Sequence, residues 1–211
     1  MAHVAISGFI LTGGKSSRMG QDKALLPFDG APLAQHIATV VETACGSAVI
    51  VGDPAKHASI GRSVITDLHP SIGPLGGIEA ALAASNTPWI LVTACDMPAI
   101  TPAFLRQLTD EAETLESLGQ QPDAILPIPP GSPVNPLCAL YHQRILPHIR
   151  QAIASGDYKI TRALNGTHLA LLPVDDGAPL RNANTPAEWD ALLVNLTAEK
   201  RKADDLTLEQ H

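Results

Sequence analysis

A chain of 211 residues with 45% hydrophobic and 17% charged residues can bury the core of one large α/β domain and is short for two. Its net charge of −7 repels a phosphodiester backbone, and 3% aromatic residues leave little for base stacking, so no nucleic-acid partner is expected. Three scattered cysteines, Cys45, Cys95 and Cys138, make neither a disulfide framework nor a zinc knuckle, which suits a reducing cytosol.

The apolar run Val4–Thr12 lacks a basic flank and a cleavage site, and Gly13-Gly14-Lys15 follows at once; it predicts a first strand rather than a leader peptide. Leu33, Ile37, Val40, Val41 and Ala44 then recur on one helical face. Ala48–Val51, Ser63–Ile65 and Trp89–Thr93 are short, rich in β-branched residues and bounded by Gly, Pro or Asp, as buried strands are. Phe104, Leu108, Ala112 and Leu115 predict a helix after the N-cap Thr101 and Pro102. Such alternation implies βαβ units in a mostly parallel, Rossmann-like sheet with helices on both sides, an α/β/α three-layer domain.

The second half is less regular. Ala124–Pro127 and Leu137–Tyr141 predict strands around the turn-rich Pro129-Pro130-Gly131-Ser132-Pro133, a loop that could face a substrate. Ile145–Ala154 and Ala163-Leu164 are helical in pattern, His168–Val174 is strand-like, and Pro186–Leu196 starts a final helix. One domain over 1–197 is expected, with 198–211 a frayed tail. No apolar run reaches the ~20 residues of a membrane span, and a cytoplasmic protein is expected.

In an open parallel sheet, ligands bind beyond the carboxyl ends of the strands, where the segment after Thr12 falls. Gly13 and Gly14 allow a sharp turn with main-chain N–H groups close to a polyphosphate. Lys15, Arg18 and Lys23 add three cations, with only Asp22 against them. A plain glycine turn with solvated lysines is the competing reading of the same residues. A P-loop is excluded by register: Gly14-Lys15-Ser16 matches the end of GxxxxGK[ST], but the first glycine would fall on Phe9, and Gly8 lies inside the strand.

The run Leu11-Thr12-Gly13-Gly14-Lys15-Ser16-Ser17-Arg18-Met19-Gly20-Gln21-Asp22-Lys23 resembles the signature of the molybdenum cofactor guanylyltransferases, within the wider nucleotidyltransferase family, with Thr12 where Ala is usual. Gly73-Pro74-Leu75-Gly76-Gly77, locally a turn into a helix, is similar to the family segment that lies against the base and ribose. Cys95-Asp96-Met97-Pro98 is similar to its Cys-Asp-x-Pro segment, whose Asp holds Mg²⁺; taken alone, Asp96 is equally a turn or N-cap residue. Asn182, Asn184, Thr185 and Pro186 match an Asn-x-Asn-Thr-Pro motif that lines the pterin side, although Thr185, Pro186 and Glu188 also make a local capping box. Asn135-Pro136-Leu137 matches less well.

The resemblance implies transfer of GMP from GTP to the terminal phosphate of molybdopterin with release of pyrophosphate, Mg²⁺ being the cofactor. GTP would contact Leu11, Thr12, Gly13, Gly14, Lys23, Asp67, Gly73, Pro74, Leu75 and Asp96. Lys23, Arg18 and Asp96 would be catalytic, with Asp96 the metal ligand, and Asn182 and Asn184 would hold the pterin. Residues of about 1–100 would be the nucleotide half and those of about 101–197 the pterin half. Transient contact with a cofactor-inserting protein or molybdoenzyme is the implied protein partnership. A cytidylyltransferase, a sugar-phosphate nucleotidyltransferase or a non-catalytic cofactor-delivery subunit are the alternatives. Cys95 is read as a buried small hydrophobe, and His36, His57 and His142 as structural. Lys159 and Arg162 are read either as phosphate ligands or as a solvated helix face.

Overall fold

The first predicted strand lies inside the sheet, third of its seven strands. The computed structural model describes residues 4–13, 22–69, 71–183, 185–194 and 196. In chain order, β1 (Ile6–Leu11) leads into a small hairpin, β2 (Pro27–Phe28) and β3 (Ala31–Pro32), and then into α1 (Leu33–Cys45). Next come β4 (Val49–Val51), α2 (Pro54–His57), β5 (Val64–Ile65), α3 (Pro74–Ala84), β6 (Trp89–Ala94) and α4 (Pro102–Ser117). The second half supplies β7 (Ala124–Ile128), β8 (Cys138–His142), α5 (Leu146–Ala154), α6 (Ile160–Ala163) and β9 (Leu169–Pro173), and residues 186–194 are helical.

Seven strands form one sheet in the order β5-β4-β1-β6-β8-β7-β9. Every pairing is parallel except those of β8, which runs antiparallel to both β6 and β7. Alternate side chains divide the core. Ile10, Trp89 and Leu91 face the layer of α1 and α4, with Ile37, Val41, Leu105 and Leu108. Phe9, Leu11, Ile90 and Val92 face α3 and α5, with Ile78, Leu82 and Ile149. The expected three-layer α/β/α architecture is therefore observed. Thr101 caps α4 as expected, accepting from the Phe104 N–H at 3.1 Å, and Thr185 accepts from the Glu188 N–H at 3.2 Å.

Two features were not anticipated. The hairpin turns on Asp29 (φ 52°) and Gly30 (φ 81°), an Asp-Gly pair in the left-handed region that a two-residue hairpin favours. The second is the direction of β8, a consequence of topology that periodicity does not carry. Among the described residues no helix is long and apolar enough to cross a membrane.

Gly8 shows how closely α1 approaches the sheet. Its N–H donates to Ser47 Oγ at 3.2 Å, and a Cβ there would run into Val41 Cγ1 and the Ser47 carbonyl. Gly8→Ala should destabilise the fold by about 1–3 kcal/mol, the usual cost of overpacking a core. A denaturant midpoint indistinguishable from that of the native chain would show that α1 yields more readily than this packing implies.

Candidate active site

The carboxyl ends of β1, β4, β5 and β6 share one edge, and the segments leaving them carry the polar groups. Gly14 and Arg18, like Asn184, lie outside the described residues. The main chain returns at Asp22, whose Oδ1 accepts from the Ala24 N–H at 3.0 Å and so caps the 3₁₀ turn Lys23–Leu25. That turn sends Lys23 towards the end of β6, where Nζ lies 3.5 Å from Asp96 Oδ2. Both side chains are largely buried, at 15% and 19% exposure, so the pair is weakly screened.

Asp96 is tied into the edge from both sides. The N–H of the preceding Cys95 donates to the Leu11 carbonyl at 3.1 Å, and the Asp96 carbonyl accepts from the Ala183 N–H at 3.1 Å. Its Oδ1 is buried and has no hydrogen-bond partner among the described residues. Burial pushes its carboxyl above the ordinary carboxylate value, against the pull of the Lys23 charge. A buried carboxylate oxygen with one cation nearby and its other lone pairs unspent has the chemistry of a ligand for a second cation. The described residues hold no cluster of three or more His, Cys, Asp or Glu side chains, so the other ligands would come from phosphate oxygens and water. Burial also raises the Cys95 thiol far above its usual value, which agrees with the buried small hydrophobe expected from sequence.

A cavity of about 370 Å³ opens on one side, lined in part by Thr12, Gly13, Asp22, His57 and Asp67. The Thr12 hydroxyl donates to the Val51 carbonyl at 2.9 Å, and its N–H donates to the same carbonyl at 3.1 Å. Leu11 and Leu75 point their side chains into the core, at 5% and 0% exposure, so they can meet a ligand only through the main chain. Asp67 Oδ1 accepts from the His69 N–H at 2.7 Å, and burial raises its carboxyl. Helix α3 starts against this group: a Cβ on Gly76 would lie 2.7 Å from Asp67 Oδ1. Gly73 precedes the helix at φ 87°, in the left-handed region, and Pro74 is its first residue. Among the described residues no side chain caps it.

A second cavity, of about 900 Å³, lies under the Pro-rich loop, with Pro74, Asn135, Lys159, Arg181 and Asn182 among its walls. Here the two cations weighed from sequence separate. Lys159 lines the cavity, whereas Arg162 turns to Asp157, with Nε 2.8 Å from Oδ1. Arg181, which the sequence reading passed over, stands beside Asn182; its place before the asparagine motif was the available signal. Asn135 spends its Oδ1 on the Leu137 N–H at 3.0 Å.

The structure thus brings Lys23 and Asp96 together, links Asp96 to the Asn182-Ala183 segment, and puts Asp67 with Thr12 and Gly13 in a separate recess. His36 lies against Phe28 with the ring centroids 4.5 Å apart and the planes tilted by 48°, and His142 accepts from the Arg144 N–H at 3.1 Å.

This sheet and its helical layers have the fold of the nucleotidyltransferases. Among solved structures, molybdopterin-guanine dinucleotide biosynthesis protein A from Archaeoglobus fulgidus superposes with a TM-score of 0.77 at 24% identity, covering 91% of this chain and 99% of its own. CMP:2-keto-3-deoxy-manno-octonic acid synthetase, complexed with CTP, shares the fold at a TM-score of 0.74 and 14% identity, over 92% of this chain and 99% of its own. The chain belongs to the family described as the MobA-like NTP transferase domain, whose model matches residues 8–171, and it is a nucleotidyltransferase. A probable molybdenum cofactor guanylyltransferase of Nostoc sp. is 30% identical over 209 residues, covering 94% of this chain and 99% of the relative. The molybdenum cofactor guanylyltransferase of Vibrio cholerae is 32% identical over 188 residues, covering 86% and 88%.

Proposed function

We propose that the protein transfers the GMP moiety of GTP to the terminal phosphate of molybdopterin and releases pyrophosphate. The buried Lys23–Asp96 pair carries this reading, with Asp22 on one side lining the smaller cavity and Asn182-Ala183 on the other reaching the larger one. Relatives named as guanylyltransferases over nearly the whole chain support the choice of nucleotide and acceptor.

Residues of about 1–100 hold the nucleotide. Gly13 and Gly14 present main-chain N–H groups to the phosphates, and Lys23 and Arg18 offset charge that grows on the oxygens as the α-phosphorus is attacked. Asp96, with its unspent Oδ1, is the residue that would hold Mg²⁺, and that ion supplies further neutralisation of the triphosphate when bound. Residues of about 101–197 hold the acceptor, with Asn182 and Asn184 on the pterin; Lys159 and Arg181 are the cationic wall of the cavity that Asn182 also lines. The attacking phosphate is ionised at neutral pH, so no general base is required; alignment of the two substrates does most of the work.

Asp67 is the partner proposed for guanine, because a carboxylate accepts from both N1–H and the exocyclic amine. Asp67→Asn should raise KM for GTP about 10- to 100-fold, the range for hydrogen bonds to a charged group, with a smaller change in kcat. An unchanged KM would remove Asp67 from base recognition.

The deciding experiment incubates the protein with Mg²⁺, molybdopterin and each nucleoside triphosphate in turn and scores pyrophosphate and dinucleotide product. Product with GTP is expected. Product with CTP alone would reassign the base, and no product with any triphosphate would end the enzymatic reading.

A further inference from the structure

His57 has no part in the transfer chemistry proposed for Lys23 and Asp96, yet it is 3% exposed and held from both ring nitrogens. The Asp53 N–H donates to Nδ1 at 3.1 Å, so Nδ1 is bare and the ring proton sits on Nε2. Nε2 lies 3.0 Å from Asp22 Oδ2 and donates to it. The other oxygen of that carboxylate, Oδ1, accepts from the Ala24 N–H and caps the turn carrying Lys23. The ring therefore fixes the Asp22 carboxylate, and the carboxylate fixes the turn. The Thr12 Oγ1 lies 3.2 Å from the same Nδ1, so its hydroxyl proton is shared between that nitrogen and the Val51 carbonyl. Gly52 leaves room for both, since a Cβ on it would collide with Thr12 Oγ1 and lie 2.5 Å from His57 Nδ1.

We propose that His57 is a positioning residue for Lys23, acting through the Asp22 carboxylate that caps the lysine's turn. The proposal rests on the nucleotidyl-transfer reading for its kinetic consequence, but the hydrogen-bonded relay itself is independent of it. A lysine that stabilises charge only in the transition state loses effect when it is displaced by a fraction of an ångström, whereas ground-state nucleotide binding is shared among many contacts. Loss of the relay therefore acts on kcat.

Two substitutions separate this role from a packing role. His57→Asn keeps an acceptor at the place of Nδ1 for the Asp53 N–H but offers nothing to Asp22. His57→Gln places a donor at the reach of Nε2 and keeps the contact with Asp22. With Mg²⁺, GTP and molybdopterin, His57→Asn should lose about 10- to 100-fold in kcat with KM for GTP changed less than about threefold. His57→Gln should recover most of that loss. Equal impairment of the two variants, a loss confined to KM, or full activity of His57→Asn would overturn the proposal. Imidazole ¹⁵N shifts of the native protein test the relay without turnover: a protonated Nε2 and a bare Nδ1 are expected, and a proton on Nδ1 overturns the assignment. Failure of the native protein to release pyrophosphate would strike the transfer reaction, while the ¹⁵N shifts would still decide the relay.

Discussion

Asp96→Asn should lower kcat by about 10²- to 10³-fold at saturating Mg²⁺ and GTP, the scale on which loss of one preorganised electrostatic group acts, and should raise the melting temperature of the free protein. The two effects share one cause. Burial holds the Asp96 carboxyl above its ordinary value of 3.8, with Lys23 offsetting only part of that rise. A carboxyl raised in the folded chain binds its proton more tightly there than in the unfolded chain. Its contribution to stability is therefore fully present below the ordinary value and is lost as pH rises through the raised one. At neutral pH the ionised group works against the free fold, and an asparagine of the same shape removes that opposition while still accepting from Lys23. The same sign predicts an acid limb of kcat/KM in the native enzyme that lies above the ordinary aspartate value of 3.8. A variant that melts lower than native would contradict the balance between burial and the lysine. Near-normal turnover would remove Asp96 from the metal site.

Lys23→Met, which keeps the length of the side chain and removes its charge, should lower kcat by about 10²- to 10³-fold. It also leaves the Asp96 carboxylate buried beside one cation fewer. Since the Lys23 charge lowers that carboxyl against burial, the acid limb of the residual activity should move to higher pH. Lys23→Arg keeps the charge but spreads it over a planar fork, so its recovery should be incomplete. Retention of activity within about tenfold in Lys23→Met would show that the charge is not placed on the reacting phosphate. An acid limb that stays in place would show that the 3.5 Å pair does not couple the two groups.

The parts legible in the sequence were those with a short-range physical signature. Ile37, Val40 and Val41 repeat at helical spacing because one stripe of α1 must be buried, and all three are at most 7% exposed. Thr101 before Pro102 marks a helix start by local hydrogen bonding alone. Lys23 and Asp96 were found by motif, and their meeting across 73 positions follows from β1 and β6 being adjacent strands. The direction of β8 could not be read, because a short strand buried on both faces looks the same whichever way it runs. His57 was taken as structural for a similar reason: its spacing suggests no metal, and its partner Asp22 is 35 positions away. Lys159 and Arg162, three apart, could be told from each other only once Asp157 was seen to hold the second.

The reversed strand β8 has a further consequence. Because β8 runs against its neighbours, the chain leaves β7 and enters β8 at the same edge that carries Lys23 and Asp96. The connection 129–137 is therefore a rim over the larger cavity that is anchored in strands the smaller cavity does not use. Its outer residues Pro129, Pro130, Ser132, Pro133 and Val134 line the larger cavity and not the smaller, whereas its end is tied to β6, with the Leu137 carbonyl accepting from the Ala94 N–H at 2.8 Å. One reversal of direction thus hangs the rim of the larger cavity on strands that take no part in lining the smaller one.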